Sequence, residues 1–182
     1  MSSDAYFDFI TDKRQWDVVI DIHNHLPSVK QKLLNDFWMR VTENLESIFS
    51  DRKCFVERSD DLFDKNSVLA VRHEDWSDVF KVGFGQLAGH VWVGVYCNDI
   101  REDSYNILAD QLRVKLQNSR RDSTAWPSWY HLGEDFTNVS SFKRILPSCQ
   151  ESAAADYAKR LQEIVVKSEP ILTQYLATWG CP

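Results

Sequence analysis

The sequence predicts an α+β domain: an antiparallel β-meander of three to four strands, covered on one face by helices, with a long C-terminal helix kinked near Pro170. Three observations predict it. Apolar residues recur every three or four positions in two long stretches, 29–49 and 154–176, as amphipathic helices require. Between them, apolar residues alternate with polar ones or glycine in 79–85 and 91–96, the period of a half-buried strand. The chain has 182 residues, 43% of them hydrophobic and 26% charged, which suits one packed domain over 1–182.

The elements run in order along the chain. Residues 4–26 contain the apolar run Trp16, Val18, Val19, Ile20 and Ile22. Periodicity leaves it as either a helix packed against later elements or a buried strand. Pro27 then precedes Ser28-Val29-Lys30-Gln31, the S-x-x-Q form of a capping box. Val29, Leu33, Phe37, Val41, Leu45 and Ile48 form the stripe behind it, widened by Leu34, Trp38 and Phe49. That is a helix of about six turns at ~3.6 residues per turn.

Short β-prone runs come next, Cys54-Phe55-Val56-Glu57 and Val68-Leu69-Ala70-Val71, separated by a polar turn. Phe80, Val82 and Phe84 define a further strand, and Val91, Val93 and Val95 another, joined through the glycine-bounded 85–89. Gly83 and Gly94 sit inside these strands, where they mark either bulges or the close approach of another backbone or a large ring. Tyr105, Leu108, Ala109, Leu112 and Leu116 make a second helix ending near Asn118. Residues 118–135 read as a loop rich in Arg, Ser, Trp and Pro. Ser148-Cys149-Gln150-Glu151 reads as a second capping box, opening a helix with Ala154, Tyr157, Leu161, Ile164 and Val165 on its stripe. Pro170 interrupts that helix, because proline lacks the donor and crowds the preceding turn. Ile171, Leu172, Tyr175, Leu176 and Trp179 continue it, and Gly180 is its expected stop.

Bulk properties bound the function. The net charge of −6 argues against a generalised electrostatic attraction to nucleic acid, though a local basic patch is compatible with it. Cys54, Cys97, Cys149 and Cys181 include no C-x-x-C pair, so a zinc ribbon or thioredoxin-type motif is excluded. There is no basic start with an apolar core at the N-terminus and no apolar run of membrane-spanning length. Reduced cysteines in a cytoplasmic protein, with no membrane contact, are expected.

Catalytic signatures are incomplete. There is no G-x-S-x-G elbow and no glycine-rich phosphate loop. Val18-Val19-Ile20-Asp21-Ile22-His23-Asn24-His25 resembles the first metal-ligand motif of amidohydrolase and PHP-type metal hydrolases, in which alternate side chains at a strand end share one ion. Those folds need a barrel of roughly 250 residues. The alternative is a surface histidine pair before a helix, so no metal or other cofactor is expected and His23 and His25 are kept only as metal candidates. Asp75, Asp78 and Lys81 are the carboxylates and lysine that could serve nuclease chemistry, but Asp78 and Lys81 lie three apart and face opposite sides of a strand.

The strongest binding segment is 118–131. Arg120 and Arg121 lie beside Trp126, Trp129, Tyr130 and His131. Arginine with aromatic rings suits stacking on bases and gripping phosphates, and equally a protein hot spot. The alternative is that Trp126 and Trp129 fold inward and plug the sheet.

Asn24-His25-Leu26-Pro27, Leu33-Leu34-Asn35-Asp36-Phe37-Trp38 and Val91-Trp92-Val93-Gly94-Val95 give the stretch Asp21 to Val95 a resemblance to an accessory region found downstream of nuclease domains in bacterial PD-(D/E)XK superfamily proteins. Trp126-Pro127-Ser128-Trp129-Tyr130 fits its later part, while the catalytic D…(D/E)-x-K pattern is absent. The resemblance implies an α+β module attached to mobile-element or defence systems, with no catalysis of its own. The expected function is therefore a non-enzymatic protein-interaction module, an inhibitor or regulator in bacterial defence or phage conflict. The alternatives are a nucleic-acid-binding accessory module of a nuclease system and a small metal-dependent hydrolase using His23 and His25. A protein is the expected partner, nucleic acid the second choice, and the oligomeric state is left open.

Overall fold

The computed structural model describes residues 11–76, 78–98, 102–116 and 125–180. The predicted α+β class holds. Helix α1 spans Lys13–Phe49, strands β1 to β4 span Cys54–Arg58, Val68–His73, Phe80–Gly85 and His90–Cys97, helix α2 spans Glu102–Lys115, strand β5 spans Ser128–Asp135, and helix α3 spans Gln150–Trp179. Short 3₁₀ turns occupy Glu74–Trp76 and Val139–Ile145. The five strands form one sheet in the order β1-β2-β3-β4-β5, every neighbour antiparallel.

The sheet has five strands rather than three or four. The added one is β5, within the segment read as a loop. Trp129, Tyr130, His131 and Leu132 extend the meander beside β4, with Gly94 opposite Trp129 and Val93 opposite Tyr130. The Arg- and Ser-rich stretch ahead of it concealed a strand whose two faces are both only partly buried.

Alternation assigns the faces. Leu69, Val71, Phe80, Val82, Phe84, Val91, Val93 and Val95 point to one side and are buried there. The second half of α1, with α2 and α3, covers them. Trp38 anchors this layer: its ring packs edge-on to Phe37 and Tyr157 and against Phe84, and its indole N–H donates to the Leu87 carbonyl at 2.8 Å. Burying a ring of that size is the largest single apolar contribution a side chain makes, and the buried N–H stays satisfied.

Among the described residues no helix covers the other face. Gly83 and Gly94 face each other across β3 and β4, and Ala70 and Trp129 continue the row on either side. Both glycines are close-approach positions. A Cβ on Gly83 would stand 2.5 Å from the Leu69 carbonyl oxygen, and one on Gly94 2.3 Å from that of Ser128.

Both capping boxes are corrected. Ser28 does not start α1, because the helix runs through Pro27. The Ser28 hydroxyl instead donates back to the His25 carbonyl at 2.8 Å, a bond open to serine inside a helix. At α3 the N-cap is Cys149, with no side-chain cap. Gln150 is drawn into tertiary contacts instead. Its amide NH₂ donates to the Leu33 carbonyl at 3.2 Å, and its oxygen accepts from the Arg40 guanidinium at 3.1 Å, tying α3 to α1. Helix α3 contains Pro170 and ends where expected, with Gly180 at φ 74° and its N–H on the Leu176 carbonyl. Trp179 is not part of the core, being 39% exposed.

Candidate functional site

Two surfaces stand out. The first is the open face of the sheet. Trp92 projects from β4 directly over Gly85 of β3, whose hydrogen is what lets the indole lie there: a Cβ would fall 2.0 Å from ring carbon Cζ2. Trp126 meets Trp92 edge-on at 3.9 Å between centroids and Tyr96 at 4.8 Å. Trp129 and His131 extend the cluster along β5, their centroids 5.1 Å apart, with His90 beyond at 6.3 Å from His131. His90 is within 3.3 Å of the Asp135 carboxylate.

Thus the segment 125–131 brings Trp126, Trp129 and His131 onto the open face, where they do not plug the core. Tyr130 points the other way, against the buried layer, and burial raises its hydroxyl pKa. Arg120 and Arg121 lie outside the described residues. Trp92 and Tyr96, which complete the cluster, were not among the sequence candidates. The signal for them was present: in β4 they are the alternate set to Val91, Val93 and Val95.

Beside the rings runs an ion network. Lys81 donates to Glu57 at 2.6 Å, Arg72 donates to the other Glu57 oxygen at 3.0 Å, and Arg72 reaches Asp78 at 3.6 Å. The hydrogen bond from Lys81 is the chief cause holding the Glu57 carboxyl below its ordinary range. Two cations and two anions nearly cancel here. The Asp78–Lys81 pair considered for nuclease chemistry is accordingly divided between carboxylate and guanidinium partners.

The second surface is the first half of α1. Trp16, Val18, Ile20, Ile22, Leu26 and Val29 are between 39% and 60% exposed. The run is therefore helical, as one alternative had it, yet these side chains do not pack against the core. Val18, Ile22, Leu26 and Val29 share one side of the helix by their spacing.

His23 and His25 sit on this same helix. At ~100° per residue their side chains diverge by about 200°, so one ion cannot bridge them as it would at a strand end. His25 lies 3.2 Å from Asp21, one turn earlier. Among the described residues no three His, Cys, Asp or Glu side chains converge as metal ligands.

Beneath β5, Glu134 pairs with Arg144 and approaches Tyr157, and burial together with that carboxylate pushes the Tyr157 hydroxyl well up. The Tyr157 hydroxyl faces the Glu134 carboxylate, and neither residue lines a groove on the open face. Cys54 and Cys149 are free thiols, and burial pushes the Cys97 thiol up to about 12, which keeps it protonated.

Comparison with family models, curated proteins and solved structures finds no match. No helix among the described residues is long and apolar enough to cross a membrane.

Proposed function

We propose that this chain is a non-enzymatic protein-interaction module whose partner covers the first half of α1. One observation carries the reading. Four large apolar side chains, Val18, Ile22, Leu26 and Val29, stand half-exposed on one side of consecutive helical turns, none of them in the core cluster. Contiguous exposed apolar surface of this kind marks an interaction site. Helices in folded proteins gain most of their stability from packing an apolar face. Covering the four would contribute about 1 kcal/mol each at half-exposure. The fitting partner presents an apolar groove to Val18, Ile22, Leu26 and Val29, the helix-in-groove mode of recognition. The finer role, an inhibitor or regulator in bacterial defence or phage conflict, rests on the resemblance to nuclease-associated accessory regions.

A second reading, nucleic-acid binding through the open face, is favoured by the ring cluster of Trp92, Trp126 and Trp129. One experiment separates the two. Tagged wild type and an Ile22→Asp, Leu26→Asp variant are used to capture partners from a bacterial lysate, with absorbance at two wavelengths and mass spectrometry on the eluates. A stoichiometric protein present with wild type and lost with the variant supports the α1 interface. A companion retained equally by both proteins, or nuclease-sensitive absorbance that washes off in salt, rejects it.

A further inference from the structure

The open face holds a groove of ≈ 520 Å³, within the range of small-molecule sites. Its wall is aromatic: Trp92, Tyr96 and Trp126 line it and are only partly buried. Its floor includes Ala70, whose side chain is a single methyl group. The groove therefore sets partly exposed aromatic rings beside a low floor, a lining suited to a flat ring.

The rim is polar and open to solvent. Asn98 is already engaged: its oxygen accepts from the Tyr96 hydroxyl at 2.6 Å and its NH₂ donates to the Asp78 carbonyl. Asn66 and Gln86 have carboxamides with no hydrogen-bond partner among the described residues, and both line the groove. Each offers a donor pair and an acceptor side by side, the complement of a nucleobase edge. Lys65 is the third open group. Lys81 is paired with Glu57, whereas Lys65 has no carboxylate within ion-pair distance among the described residues, so it supplies the groove's uncompensated positive charge in a chain of net charge −6.

Gln86 carries a further mark. It is the one non-glycine residue with positive φ among the described residues, at 54°. Glycine would adopt this conformation without strain. The turn is held by Ser67, whose carbonyl accepts from Gln86 N–H at 3.0 Å and whose hydroxyl accepts from Leu87 N–H at 3.0 Å. A side chain kept at a position where the backbone favours glycine points to a use for that side chain. Gln86 and Lys65 also line an adjoining cleft of ≈ 330 Å³ with His90 and Thr137, so together they form the wall between two hollows.

We propose that this groove is a binding site for a free mononucleotide, with the base against Trp92 and Trp126, its edge read by Gln86 and Asn66, and the phosphate held by Lys65. A single uncompensated lysine suits one phosphate group better than a strand of them, which would call for several phosphate contacts. The site is separate from the α1 surface and does not depend on it.

The test is titration of tryptophan fluorescence in the full chain with each of the four nucleoside 5′-monophosphates, with the parent nucleosides, with ribose 5-phosphate and with a short single-stranded oligonucleotide. Saturable quenching by at least one monophosphate is expected, with the nucleoside about tenfold weaker and ribose 5-phosphate silent, as the loss of a charge-assisted contact or a stacking ring implies. Gln86→Gly relieves the backbone and keeps the fold, so its thermal midpoint should hold or rise while nucleotide affinity falls about tenfold. Lys65→Ala should weaken the monophosphate and leave the nucleoside unchanged. Ile22→Asp, Leu26→Asp should bind as wild type. No saturable quenching up to about 1 mM of any monophosphate, a range that reaches weak binding, overturns the proposal. So does unchanged affinity in both Gln86→Gly and Lys65→Ala. An oligonucleotide that binds far more tightly than every monophosphate, with steep salt dependence, overturns it in favour of a strand-binding face.

Discussion

The two faces of the sheet are made by the same five strands and held by different physics. On the covered face Leu69, Val82, Phe84 and Val93 are shut off from water by the helices, and Trp38 locks the layers together. On the open face the central row is Ala70, Gly83 and Gly94, flanked by half-buried rings and a compensated ion network. Burial stabilises the first. Close backbone approach and surface contacts shape the second. Residue size therefore has opposite meanings: on the covered face removing atoms is harmful, and in the central row of the open face adding them is.

That contrast can be broken by experiment. The largest effect is expected from Trp38→Ala, which opens a cavity and leaves the Leu87 carbonyl without its donor; a loss of about 3–5 kcal/mol in urea unfolding is expected. Next is Gly94→Ala on the open face. One methyl group would collide with the Ser128 backbone and the Trp129 Cβ, so about 1–3 kcal/mol should be lost even though the position bears no helix. A neutral result would show that β5 can yield, and would remove the distinction between the faces at that row.

Trp92→Ala should be milder than Trp38→Ala, at about 1–2 kcal/mol, because its ring is only partly buried. Glu57→Gln comes below it. Folding lowers the Glu57 pKa, so the stabilisation is fully present above the ordinary carboxylate value and is lost as pH falls through the lower folded value. With Glu57 partly solvated, the loss near neutral pH should stay under about 1 kcal/mol and disappear in acid. A wild-type-to-variant difference that persisted in acid would assign the effect to packing. The smallest effect belongs to Ile22→Asp, Leu26→Asp, which should leave unfolding within about 0.5 kcal/mol of wild type while abolishing partner capture.

Helix α1 makes the same point within one element. Its second half follows the stripe Phe37, Val41 and Leu45 that periodicity gives, and it is buried as that stripe requires. Its first half is also rich in apolar residues, but Trp16 and Ile20 lie on the side opposite Val18, Ile22, Leu26 and Val29, and both sets remain in water. Local signals misled at two starts. Ser28 and Ser148 have good capping spacing, yet Ser28 lies inside a continuing helix and α3 is capped at Cys149 without a side-chain bond. Part of the candidate site was readable: Trp126, Trp129 and His131 are on the open face, while Tyr130 alternates to the other side. Trp92 and Tyr96 were hidden in a strand read for its valines. Gln86, Asn66 and Lys65 lie apart in sequence from the rings they accompany.

By itself the sequence determined the α+β class, the buried stripes of the three helices apart from Val29 and Trp179, the four strands β1 to β4 and the stop at Gly180. Each is a local or periodic property: a helix or strand repeats within a few residues, and glycine accepts a positive φ wherever it stands. Tertiary structure alone decided that β5 joins the sheet, that no helix among the described residues covers one face, that α1 extends past Pro27 and that the groove assembles from β2, β3, β4 and the turn at Gln86. Those outcomes depend on which surfaces find partners across long chain separations, and a hydrophobic pattern states that a face seeks burial without stating what will cover it.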